Sequence, residues 1–472
     1  MTPLRTLMLS ATACVLACAP AALGQYKAVN PKVADAVSQV SEEHITAVLK
    51  KLESFGTRNI MSSEDSPTHG VGAARAWVKG EFQSLSPRLQ VAFEKYRLKK
   101  IDGKNSRVPH DVDLYNVVAV LPGKGNADQR ILITAHYDTI VTLSEAGSNA
   151  SGVGETPPHP DPNTLSPGVT DDGSGMACVL ELARILSQYE FEKTLVFVAF
   201  AGEEEGLLGS TLYAAGAKAD RQHIEAVLNN DIIGSAVAGD GSAENRTVRV
   251  FSGDPPDSPS RTLARYVREI GQRYVPSMTV DSIFRADRFG RSGDHTPFDL
   301  EGFAAVRLTS PAEDFSHQHT ATDTFEHTSV PYIARVTRIN AAVAASLAWA
   351  PKTPVISEEV EQDGRKRTRL FISRGKSQYD AVLDWKQDPA EPDLAGFVVV
   401  RRLTTSPYWE QETFVANGTH LELPHTSIDQ YVLGVKAVDK EGNESLVAPY
   451  VPTPRGKRSV DVILDNAESD DQ

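Results

Sequence analysis

Cysteine is nearly absent. The 472 residues hold three, Cys14, Cys18 and Cys178, so no internal disulfide framework can staple the fold. The first two fall in a leader-like segment: Arg5, then the apolar, small-residue run "TLMLSATACVLACAPAALG", then a small-x-small pattern ahead of Gln25. Residues 1–24 read as a signal peptide, and the mature chain as secreted or periplasmic. The same segment has a second reading, in which "VLAC" is a lipoprotein-type box with Cys18 as the anchored residue. Cys178 lies among apolar residues in "GMACVLELARIL" and reads as a core thiol rather than a nucleophile. Beyond the leader no run is apolar enough to span a membrane. Positive charge is short as well: 48 Lys and Arg against 62 Asp and Glu give a net charge of −14, which disfavours nucleic acid and anionic lipid as partners.

What the chain does have is alternation. Helical periodicity in "ITAVLKKLESF" and "GVGAARAWVKGEFQSL" gives way to apolar runs of strand character: "YNVVAVLPG", "RILITAHYD", "KTLVFVAF", "AVLNNDIIG", "TVRVFSG" and "FAAVRLTS". Helix-like segments lie between them. This pattern predicts a layered α/β domain with a mainly parallel, buried sheet, whose site forms at the carboxyl ends of strands. Near "APKTPVISEE" the period becomes two, with turn residues between short runs, as in a β-sandwich. The expected division is a signal peptide over 1–24, a catalytic domain over 25–351, a β-sandwich over 352–460 and an acidic tail over 461–472. A chain ending near residue 352 is expected to fold alone.

Each polar cluster of interest follows an apolar run. "ILITAHYD" delivers His136 and Asp138, two residues apart on one strand face. "GVTDDGSGMA" places Asp171 and Asp172 before a helix, where aspartate is also an ordinary cap. "FAGEEEGLLGS" carries Glu203, Glu204 and Glu205. "NNDIIG" ends in Asp231, and "SHQHTATDT" holds His317 and His319. Any one of these is commonplace. Two histidines with several carboxylates at strand ends make a nitrogen and oxygen ligand set, which suits zinc and is large enough for two ions sharing a carboxylate.

In this order the motifs "AHYD", "TDDGSG", "GEEEGLLGS", "NNDIIG", "SGDHTPF" and "HTATDT" resemble those of the co-catalytic di-zinc exopeptidases typified by bacterial leucyl aminopeptidase. The resemblance covers about residues 40 to 350. It implies an α/β/α sandwich with a mixed sheet, two Zn²⁺ ions and a peptide substrate. It implies that Asp171 bridges the ions, that His136 and Asp231 complete one site, and that Glu204 and His319 complete the other. Asp138 orients His136, and Glu203 is the general base. Glu205 falls at a variable position and is expected to face water. Asp294 and His295 are expected near the substrate pocket, not among the ligands. Gln318 stands where many relatives have an aromatic residue. The insertion over 139–170, with His159, is expected to form a rim or lid. After the catalytic domain, Trp385, "GFVVVRR" and "VKAVDKEGNES" resemble a fibronectin type III domain. The alternatives are a glutaminyl cyclase on the same fold, with one zinc, and a surface adhesion protein with a weak enzyme domain.

Overall fold

The computed structural model describes residues 29–103, 106–142, 161–362, 365–387 and 391–451. The leader with Cys14 and Cys18, the 143–160 part of the insertion with His159, and the acidic tail lie outside them. Eight strands form one sheet: β1 (Gln90–Leu98), β2 (Val112–Leu121), β3 (Gln129–His136), β4 (Thr194–Phe200), β5 (His223–Asn230), β6 (Thr247–Phe251), β7 (Thr279–Ile283) and β8 (Ala305–Thr309). Their order is β1-β2-β4-β3-β5-β8-β6-β7. β4, β3, β5 and β8 run parallel, so their carboxyl ends share one edge.

Alternation along the central strands divides the core between two faces. Ile131, Ile133, Ala135, Phe197 and Leu228 face the larger cluster. That face is covered by α1 (Pro31–Ser38), α2 (Glu42–Glu53), α3 (Gly70–Leu85), α4 (Ser174–Leu186), α6 (Pro259–Tyr274) and α8 (Val330–Trp349). Leu132, Val196, Val198 and Phe200 face α5 (Leu208–Ala219) and α7 (His295–Leu300). The sandwich is therefore α/β/α. Cys178 is fully buried in α4, where burial pushes its thiol up to about 12. No helix among the described residues is long and apolar enough to cross a membrane.

An all-β domain follows. After a charged hairpin of β9 (Ser357–Gln362) and β10 (Arg365–Leu370) come β11 (Ile372–Arg374), β12 (Ala381–Asp384), β13 (Leu394–Leu403), β14 (Gln411–Val415), β15 (His420–Leu423), β16 (Tyr431–Asp439) and β17 (Ala448–Pro449). β11-β12-β15 and β14-β13-β16-β17 are two antiparallel sheets sharing one core. Trp385 sits in it, edge-on to Phe397.

This domain meets α6 through buried charge. Lys436 and Glu444 are each 1% exposed. Lys436 Nζ pairs with Glu444 and lies 3.3 Å from Glu269 of α6. Arg273 of α6 reaches Glu444 at 2.7 Å. Nearby, Arg402 pairs with Asp257, and Arg265 Nε donates to the Pro407 carbonyl at 2.7 Å. Through this contact the β domain supplies one partner each to Glu269, Arg273 and Asp257, while Glu269 and Arg273 also pair with each other at 3.1 Å. Deleting one member of a buried ion network costs about 3–5 kcal/mol. Urea denaturation of Lys436→Met should show a loss of that order, and adding Glu444→Leu should recover part of it. A midpoint unchanged in Lys436→Met would show that the network is inconsequential.

Candidate metal centre

The shared carboxyl edge gathers the expected residues. β3 ends in His136, β4 runs into the three-glutamate turn, β5 runs into Asp231, and the segment after β8 carries His319. Asp171 enters from the segment before α4. Its backbone N–H and that of Thr170 each donate to the Asp323 carboxylate at 2.9 Å. Asp172, fully buried, does not join the cluster. It accepts from the backbone of Gly175 (3.0 Å), Ile232 (3.1 Å) and His136 (3.3 Å), tying the α4 start to two strand ends. Gly175 cannot be replaced: a Cβ there would lie 2.2 Å from the Asn230 carbonyl oxygen.

The glycines beside the glutamates make the turn. Gly202 (φ +72°) and Gly206 (φ +114°) adopt left-handed backbone, and the N–H groups of Gly206 and Leu207 close onto the Glu203 carbonyl at 2.9 Å. The Asp138 carboxylate accepts from the Glu203 and Glu204 N–H groups at 3.3 and 3.1 Å. His136 Nδ1 lies 3.2 Å from the Asp138 backbone carbonyl and 3.6 Å from its carboxylate. Asp138 thus fixes both the imidazole and the glutamate turn.

The donor atoms fit a metal. Three groups have ligand atoms within 4.8 Å of one another: His136, Asp171 and Asp231; Asp171, Glu204 and His319; and His136, Glu203 and Glu204. Asp171 Oδ1 faces His136 Nε2 at 3.3 Å, and its Oδ2 faces His319 Nε2 at 3.2 Å. Glu204 Oε1 stands 3.1 Å from the same His319 nitrogen, yet it is buried and has no hydrogen-bond partner among the described residues. The two atoms face a common point rather than each other. Ligands about 2.0–2.2 Å from a tetrahedral ion stand roughly 3.3 Å apart, which is the spacing seen.

The electrostatics agree. Burial alone would lower the His319 imidazole, but Glu204 and Asp171 outweigh it and push it up to about 10. Burial raises Glu203 well above the ordinary carboxyl range; His136 opposes the rise, and Asp231 and Glu204 add to it. Two buried arginines offset the negative charge. Arg58 donates to the carbonyls of Tyr137, Gly168 and Pro167. Arg307 Nη2 donates to Asp231 Oδ1 at 2.8 Å and its Nη1 to Asp287 at 3.0 Å. This leaves Asp231 Oδ2 on the side where Gly293 has no side chain to crowd it.

Several expectations need correction or supplement. Glu205 does not face water: it is buried, and its Oε1 accepts from Asn59 Nδ2 at 3.1 Å. The turn buries Glu204 and Glu205 and leaves Glu203 half-buried. His317 stacks on His327 at 3.7 Å and joins none of the metal-compatible groups among the described residues. Gln318 is buried, with its Nε2 donating to Glu313. Asp294 is fully buried, and burial, partly countered by His136, raises it to about 7. His295 beside it is buried too, with Nε2 2.7 Å from the Ala286 carbonyl. Sequence reasoning missed Arg58, Arg307 and Asp287. The signal for Arg307 was a lone cation inside the apolar run "FAAVRLTS".

Residues 116–344 match the model of peptidase family M28. A probable zinc metalloprotease of Pyrenophora tritici-repentis is 32% identical over 448 residues, covering 88% of this chain and 96% of the relative. The chain belongs to peptidase family M28. Another relative, a probable zinc metalloprotease of Pyricularia oryzae, is 33% identical over 447 residues, covering 87% of this chain and 82% of that one. Among solved structures, the Legionella pneumophila LapA aminopeptidase aligns with a TM-score of 0.50 at 21% identity, over 67% of this chain and 75% of that one, a likeness of fold.

Two variants probe how this M28 centre is supported. Arg307→Lys keeps the charge but cannot fork between Asp231 and Asp287. Chelator competition should show zinc held about 10–100-fold more weakly, the usual effect of losing such support. Glu205→Ala removes the acceptor of Asn59 Nδ2 and should lower stability by about 1 kcal/mol. A wild-type melting curve for Glu205→Ala would contradict its buried role.

Proposed function

We propose that the protein is an exported, zinc-dependent aminopeptidase that removes residues from the N-terminus of peptides. The observation that carries this reading is the placement of the two Asp171 oxygens, one toward His136 and one toward His319, which supports two ions sharing one carboxylate. His136 and Asp231 would complete one ion's ligands, and Glu204 and His319 the other's. Zinc in such a pair supplies an acidified water and a polarised carbonyl. Glu203, within reach of His136 and Glu204 but outside the Asp171 groups, takes the proton and returns it to the leaving amine. Its raised proton affinity suits a base that must hold a proton between steps.

The choice of the substrate's amino end rests on charge. Arg58 and Arg307 are committed to carbonyls and aspartates, while Glu203 and Asp294 remain beside the cluster. Surplus carboxylate favours an α-ammonium over a terminal carboxylate. The export reading rests on the first 24 residues. The division near residue 352 follows the end of α8, and the β11-β12-β15 and β14-β13-β16-β17 order supports a fibronectin type III-like domain.

Mass spectrometry of peptides digested by the zinc-loaded protein tests the reading. Free N-termini should be trimmed residue by residue and acetylated ones spared; equal cleavage of both, or only loss of ammonia from N-terminal glutamine, would overturn it. Among variants, Glu203→Gln should keep its zinc and lose at least about 10²-fold in kcat. Glu204→Gln should lose zinc and activity together. Full zinc in Glu204→Gln, beside zinc loss in Glu203→Gln, would reverse the two roles.

A further inference from the structure

Asp231 and His319 fall in different metal-compatible groups of the cluster, yet their backbones share a feature. His319 has φ +54°, and Ile232, directly after Asp231, has φ +58°. Left-handed backbone is uncommon for a residue with a side chain and is an outlier for a β-branched one. It persists only where the surroundings hold it. Some of that hold is local: the Ile232 carbonyl accepts from the Ser310 N–H at 2.8 Å, and the His319 carbonyl from the Thr142 N–H at 3.0 Å.

A run of side chains joins the two positions. Arg307 Nη2 donates to Asp231 Oδ1 at 2.8 Å, and its Nη1 to Asp287 Oδ2 at 3.0 Å. The other Asp287 oxygen lies 3.4 Å from Arg288 Nε. Arg288 Nη1 donates to Glu313 Oε2 at 2.5 Å, and the same oxygen accepts from Gln318 Nε2 at 3.1 Å. Gln318 directly precedes His319. Asp287, Arg307, Glu313 and Gln318 are buried, and Arg288 is nearly so. Charge alternates from Asp231 to Glu313, so each group compensates its neighbours, and charge-assisted bonds away from water are strong ones. Between Asp231 and His319 no member of the run joins a metal-compatible group among the described residues.

We propose that Asp287, Arg288, Glu313 and Gln318 are positioning residues that couple the two ion sites. With Arg307 they brace Asp231, read above as a ligand of one zinc, against the backbone of His319, read as a ligand of the other. The two sites are thereby organised together rather than singly. The inference rests on the two-ion reading and adds how binding at one site depends on the other.

Equilibrium zinc binding to the full chain, measured by chelator competition, tests the coupling through Arg307→Lys, Gln318→Leu and the double variant. The two substitutions cut opposite ends of the run, and Arg307 and Gln318 make no hydrogen bond to each other. Each alone should weaken zinc about tenfold, the lower end for losing support behind a ligand. Independent effects would multiply to about a hundredfold in the double variant. A coupled run, already cut at one end, loses little more, so the double variant should bind zinc within about threefold of the weaker single variant. Glu313→Gln keeps size and an acceptor oxygen, and stands as a second cut if Gln318→Leu does not fold; it should weaken both zinc equivalents. Multiplied losses in the double variant, or a Glu313→Gln that weakens one equivalent alone, overturn the coupling. Wild-type protein that binds a single zinc sinks the two-ion reading itself, and the coupling with it.

Discussion

Mutual repulsion among carboxylates packed at one edge of a sheet is the constraint on which this structure turns. Asp138, Asp171, Asp172, Asp231, Glu204, Asp294 and Asp323 are all buried there, and an isolated buried carboxylate is costly. The surroundings are arranged to meet that cost. Backbone N–H groups serve Asp138, Asp172 and Asp323. Guanidinium groups serve Asp231 and Asp287. Zinc held there would neutralise part of what remains, so the cluster that burdens folding is also the one suited to a metal.

The parallel sheet solves the geometric half of the problem. β3, β4, β5 and β8 end side by side, so residues nearly two hundred positions apart in sequence reach a volume a few ångströms wide. Strands buried on both faces hold those ends still. The segments beyond them stay free to take tight, glycine-dependent turns, and the three-glutamate turn is the plainest case.

Much of this was readable in the residues. α3 and α6 coincide with their periodic segments, and β3, β4, β5 and β8 with apolar runs, because buried elements must write their burial into the sequence. β1 was not recognised, since an edge strand with half-exposed residues such as Glu94, Lys95 and Arg97 has no apolar run. β7 ("TVDSI") and β14 ("QETFV"), no shorter than β8, have too few consecutive apolar residues to stand out. The cluster of His136, Asp171, Glu204, Asp231 and His319 was legible as motifs, and the structure does bring those residues together. Their supports were not: Arg58 and Arg307 act across long sequence separations, and no local pattern encodes a guanidinium reaching a distant carbonyl. The buried Glu205 accepts a hydrogen bond from Asn59, 146 positions away in the chain.

The charge network between α6 and the β domain has a thermodynamic corollary. Lys436 and Glu444 are shielded from solvent ions, so added salt does little to weaken their pairing, whereas Glu269 is 29% exposed. Lys436 with Glu444, and Arg273 with Glu269, are pairs within each half, and the contacts of Lys436 with Glu269 and of Arg273 with Glu444 join them. Two parts that read as separate in composition are thus joined by ion pairs across their contact, and if these couple the halves, heating gives a single calorimetric transition rather than two.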